Sequence, residues 1–174
     1  MPMAIRLTLW GALLTVAVLC SAQVCQAAPT ARLDIRGTLI QPPCSANFPS
    51  TQNVEIPKVN LNALGSGMTD WTDVAFDFQC TKGSKLQLRF TAGNGAYDTA
   101  TLRTTLDKLG LKTRLSDVTG TVRDVHFNLG EQFTFFVEAT ALNLKLSVRP
   151  VLGAQELPAI GSYNATLMME IVYL

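Results

Sequence analysis

Apolar and polar residues alternate along most of this chain with the two-residue period of β-strands, which sends successive side chains to opposite faces. Val54-Glu55-Ile56-Pro57-Lys58-Val59 carries a short version of the pattern, and Val74-Ala75-Phe76-Asp77-Phe78 carries it towards Cys80. Leu86-Gln87-Leu88-Arg89-Phe90 alternates cleanly and stops at Gly93-Asn94-Gly95. Shorter or less regular runs lie at residues 111–115 and 122–127, then good strands at 134–140 and 144–148. Residues 163–173 form the longest run. Turn residues at Gly65-Ser66-Gly67, Gly110, Gly120, Gly153 and Gly161 punctuate these runs. Short strands so punctuated predict an all-β sandwich. One segment departs from the pattern. Leu102, Leu106 and Leu109, with Gly110 directly after them, predict a connecting helix of one or two turns, although the surrounding threonines disfavour it.

Composition narrows the class of molecule. The chain has 174 residues, 48% hydrophobic, enough for one domain with a proper core. Its 14 Lys+Arg against 13 Asp+Glu leave no basic field for a nucleic acid. Part of the hydrophobicity belongs to an address. Arg6, the apolar run at 7–19 and the small residues of Cys25-Gln26-Ala27 make residues 1–27 a secretory signal, with cleavage after Ala27 or alternatively Ala28. The apolar run falls short of the roughly 20 residues that span a bilayer, so no membrane insertion of the mature chain is expected. Leu19 and Val24 precede Cys20 and Cys25, where a lipidation signal wants a small residue.

Two cysteines, Cys44 and Cys80, survive that cleavage. In an exported chain such a pair reads as a disulfide. Closing the loop between them stabilises the fold by roughly 4 kcal/mol from chain entropy. No metal site competes, because ligands are lacking nearby. The sequence holds no catalytic constellation, and no enzyme or cofactor is expected. His126 is the lone histidine, set in a strand pattern without a poised partner. There is no nucleophile elbow and no phosphate-cradling glycine loop. Asp70, Asp73 and Asp77 cluster without the spacing of a calcium loop and read as turn and solvent-face residues. Asn164-Ala165-Thr166 is a glycosylation sequon inside what reads as a buried strand. Trp71 and Tyr97, near turns, are candidates for a sugar-binding surface.

The two ends carry the functional information. In the last run, Tyr163, Ala165, Leu167, Met169, Ile171 and Tyr173 share one face, and the strand extends almost to Leu174. A terminus this apolar must be paired on folding or held by a partner. Near the other end, Leu33, Ile35, Gly37 and Leu39 alternate with Asp34, Arg36 and Thr38 before Pro42-Pro43-Cys44. Prolines donate no ladder hydrogen bond and cut this strand off from the downstream chain. An apolar strand detached from its own domain is economically explained by strand addition to another molecule.

In these features, taken in order, the mature chain resembles the pilin subunits of bacterial chaperone–usher fimbriae. The resemblance rests on the signal, the alternating extension with its glycine, the disulfide joining the first part of the fold to a later strand, Gly161 fourteen residues from the end and the penultimate Tyr173. It implies an incomplete immunoglobulin-like β-sandwich that lacks its last strand and is completed by a donor strand. The organisation would be a signal at 1–27, a donor-strand extension at 28–41 and a pilin domain at 42–174. Leu33, Ile35 and Leu39 would be the plugs of the donor strand, with Gly37 at a narrow point of the neighbour's groove. The implied partners are a periplasmic chaperone, which lends a strand beside residues 163–173, an outer-membrane usher and neighbouring subunits. The implied location is the cell-surface fimbrium. Length and the Ile40-Gln41-Pro42-Pro43-Cys44 stretch look most like minor tip or adaptor subunits of P-type or type 1-like pili. Burying three or four apolar side chains of the donor is worth on the order of 5–10 kcal/mol before entropy, comparable with a whole domain's stability. The competing expectation is a self-sufficient periplasmic or secreted β-sandwich that binds a sugar or small ligand.

Overall fold

The computed structural model describes residues 35–39 and 41–174. The expected signal segment, Leu33 and Ile40 lie outside the described residues. Residues 35–39 carry no regular secondary structure and are exposed, Ile35 at 85% and Leu39 fully.

Residues 41–174 hold ten strands and one short helix: β1 (Cys44–Ala46), α1 (Leu61–Gly65), β2 (Thr72–Cys80), β3 (Ser84–Ala92), β4 (Ala96–Asp98), β5 (Thr101–Arg103), β6 (Leu109–Asp117), β7 (Arg123–Val125), β8 (Gln132–Val137), β9 (Ala141–Leu152) and β10 (Leu167–Tyr173). They form two antiparallel sheets. The larger runs β1-β2-β9-β6-β5-β4, with β7 also paired to β6, and the smaller runs β10-β3-β8. Period-two alternation gives each sheet one apolar face, and the two faces meet in a single core. Phe78, Leu115, Leu142, Leu144 and Leu146 come from the large sheet, and Leu86, Leu88, Phe90, Phe135 and Val137 from the small one. Cys44 lies opposite Cys80 in the β1–β2 register and is bonded to it.

Several sequence expectations require correction. No helix forms at 102–109. Leu102 belongs to β5 and Leu109 to β6, both buried, and a tight turn joins them with Lys108 at φ 64°. The Thr104 hydroxyl accepts from the Leu106 N–H and donates to the Leu109 carbonyl, so a side chain takes over bonds a helix would make. The helix occurs instead at α1, where the Asn60 side chain caps the Ala63 N–H at 2.7 Å. There the Met68 N–H closes on the Ala63 carbonyl, and Gly67 supplies the left-handed residue at φ 71°. Residues 54–59 alternate as a strand but form none: among the described residues no strand pairs with them, and Pro57 has no donor. The last strand begins at Leu167 rather than at residue 163. Only Arg123–Val125 of the 122–127 run is paired, and His126 beyond it is exposed.

Candidate functional site

β10 is joined on one side only. Its register with β3 runs from Leu167 opposite Ala92 to Tyr173 opposite Leu86, and among the described residues no strand flanks its other side. The ladder pattern decides which backbone groups are left over. In an antiparallel pair, alternate residues exchange both bonds with the partner, and those between turn both groups away. The Gly93 N–H donates to the Thr166 carbonyl at 2.8 Å, and the Leu174 N–H to the Lys85 carbonyl at 3.1 Å. The even-numbered residues of β10 therefore serve β3. Leu167, Met169, Ile171 and Tyr173 direct their N–H and C=O groups to the open edge.

The side chains of these same four residues point inwards yet stay only half-buried against the core. Their β3 counterparts Leu86, Leu88 and Phe90 are fully buried. On the outer face Met168 is exposed, and Glu170 pairs with Arg89 at 3.4 Å. A second strip without ladder bonds is residues 48–59, which make no backbone–backbone hydrogen bond among the described residues and are exposed except at Phe48 and Ile56. Its Phe48 and Ile56 pack half-buried against the core. An aromatic chain joins the two strips. The Phe48 ring centre lies 5.1 Å from that of Phe76, and the half-buried Phe76 lies 6.3 Å from Phe90, which sits opposite Met169.

Upstream of β10, Val59, Leu61, Leu106, Ile160, Gly161 and Tyr163 line part of an open cleft of about 360 Å³. Burial raises the Tyr163 phenol above its ordinary pKa. Gly161 is exposed, and a Cβ there would meet Leu106 Cδ1 at an ordinary 3.8 Å, so space alone does not demand glycine. Tyr163 and Ala165 are half-buried but precede the strand, while Asn164 is exposed rather than in a buried strand. Ile35, Gly37 and Leu39 are exposed, and Leu33 lies outside the described residues. The acidic cluster is dispersed: Asp73 sits in β2, accepts the Ser147 hydroxyl at 2.5 Å and pairs with Lys145, while Asp77 faces solvent.

Such an arrangement can receive an extended peptide. It offers four outward-facing backbone residues for a ladder and half-covered apolar side chains for alternate plugs. Sequence reasoning found the β10 side of it. It missed Phe48, which stands beside Pro49 outside any periodic run, and left unconnected Ile56 and Phe76, whose alternation was visible but whose spatial neighbours were not.

The family described as Fimbrial protein matches residues 33–173. The chain belongs to that family. Fimbrial proteins are structural rather than enzymatic and are located in surface pili. No curated protein matches the chain. Among solved structures, the crystal structure of the P pilus rod subunit PapA is 17% identical, with 76% of this chain and 99% of that one covered and a TM-score of 0.55. A chaperone–usher pilus structure addressing rod uncoiling is 15% identical over 84% of this chain and 97% of that one, with a TM-score of 0.58. At these identities the likeness is one of fold: this fimbrial chain has the two-sheet architecture of pilin subunits.

Proposed function

We propose that the chain is a structural subunit of an adhesive chaperone–usher fimbria, polymerised by donor-strand exchange. The observation that carries this reading is the open edge of β10, where Leu167, Met169, Ile171 and Tyr173 present unpaired backbone and half-covered side chains together. A sandwich of this kind lacks one strand. A periplasmic chaperone supplies it during folding, and at the outer-membrane usher the next subunit's extension replaces it. The chain's own extension, with Leu33, Ile35, Gly37 and Leu39, serves the neighbouring subunit in the same way. Its exposed apolar residues at 35 and 39 support that role. Within the fibre we assign it a minor tip or adaptor position, on its length and the stretch before Cys44; its abundance in isolated fibres tests that assignment.

The decisive experiment compares melting of the oxidised domain from Pro42 to Leu174 with a version that continues through a flexible linker into a copy of residues 29–41. The copy raises the midpoint by about 20 °C, taking roughly 2–4 °C per kcal/mol for a domain of this size. An already stable domain that gains nothing would return the reading to a self-sufficient ligand-binding sandwich.

A further inference from the structure

The outer face of the large sheet carries a second feature, unrelated to the open edge. Four cations project from three adjacent strands: Arg149 from β9, Lys112 and Arg114 from β6, and Arg103 from β5. Lys112 lies directly opposite Arg149 in register, a like-charge pair that disfavours the sheet. Among the described residues none of the four makes a salt bridge. Asp73 bonds Ser147 and pairs with Lys145, and Asp98 is held by the Ala100 N–H and the Thr101 hydroxyl, so these carboxylates act on Arg114 and Lys112 only through the field, without a salt bridge.

Two aromatic rings are built into the same face. Trp71 lies against two guanidinium groups, with the Cζ atoms of Arg114 and Arg149 each 4.7 Å from its ring. Tyr97 carries Arg103 at 4.6 Å and seats its ring on Gly153, where a Cβ would come within 2.3 Å of it. Both rings thus hold arginines in fixed positions on the sheet. Arg149 Nε is buried without a hydrogen-bond partner. None of the outward residues of β2, β5, β6 or β9 is an exposed large hydrophobic. The rings of Trp71 and Tyr97 are half-buried and lie under arginines, unlike the open apolar centre of a typical protein interface.

We propose that this face binds an acidic polysaccharide, with Arg103, Lys112, Arg114 and Arg149 contacting its anionic groups. The cations are spaced about 5 Å across strands and about 7 Å along one. A polymer bearing a negative charge on each sugar repeats on a similar scale.

Trp71 reports on the site, because the other tryptophan, Trp10, lies in the expected signal segment. The experiment titrates the full mature chain with heparin (sulfated), polygalacturonate (carboxylated), polyglutamate (a polypeptide anion) and neutral dextran while following Trp71 emission. At least one acidic polysaccharide shifts the emission and dextran does not; which one responds distinguishes sulfate from carboxylate recognition. The Lys112→Gln/Arg114→Gln variant weakens that binding at least tenfold and lowers the slope of log affinity against log salt by about 1.4–1.8. Lys58→Gln/Lys82→Gln removes the same charge elsewhere and changes affinity less than twofold. Arg103→Gln/Lys112→Gln replaces the first pair should its melting curve show a folding defect. The proposal is overturned by silence towards both polysaccharides, by equal loss in the control pair, or by polyglutamate binding as tightly as the best polysaccharide.

Discussion

β9 and β10 have similar alternating apolar faces but opposite fates. β9 lies between β2 and β6, and its Leu142, Leu144, Leu146 and Val148 are buried. β10 has one neighbour, and its Leu167, Met169, Ile171 and Tyr173 remain half-covered. Apolarity of the strand does not explain the difference; the number of flanking strands does. A strand's own residues state what it needs to bury, and its neighbours decide whether that is achieved.

Substitutions at the two strands test the contrast most strongly. Leu144→Ala removes a fully buried side chain and costs about 3–4 kcal/mol in urea unfolding, with or without an added strand. Ile171→Ala costs about 1 kcal/mol in the bare domain and about 2–3 kcal/mol once the copy of residues 29–41 is attached. Equal costs at Ile171 in both versions would break the comparison, since they would mean that the open edge gains no cover.

A smaller effect sharpens the closed side. Asp117, at the end of β6, is buried, accepts from the Thr119 N–H at 2.9 Å and pairs with Arg123 at 2.6 Å. Burial alone would raise its pKa, but the bonds from Arg123 and Thr119 outweigh it and hold the carboxyl below its ordinary value. A lowered folded pKa stabilises the protein above the unfolded value, and that contribution fades as pH falls through the folded one. Asp117→Asn is therefore less stable than the parent by about 1–3 kcal/mol at neutral pH. The gap closes on acidification below Asp117's lowered pKa, as paired unfolding curves from pH 7 to 2 would show.

The strands legible in the sequence were those with long alternation and turn residues at both ends, as in β2, β3 and β9. Residues 54–59 had the same alternation and stayed unpaired, because pairing depends on a neighbour that periodicity does not reveal. The leucines at 102, 106 and 109 fit a helical spacing by coincidence; burial of Leu102 and Leu109 in adjacent strands outweighed it. α1 was signalled only by Asn60 and Gly67, a cap and a stop around five residues. Of the candidate site, the apolar face of β10 could be read directly, since alternation fixes it. The contribution of Phe48 and Phe76, and the stacking of Trp71 on arginines from two other strands, depend on register and could not be read.

The Cys44–Cys80 bond also sets a path for mechanical load. Tension applied to the chain ahead of Cys44 crosses the sulfur bridge and enters the backbone at Cys80, four residues before β3 begins. Residues 45–79, with α1, the unpaired 48–59 segment and β2, lie outside that line, inside the disulfide loop and anchored by the β2–β9 ladder. β3 is the strand to which β10 is zipped along its whole length. A pull along the chain is thus delivered beside the open edge, while the wall formed by 48–59 is spared from stretching.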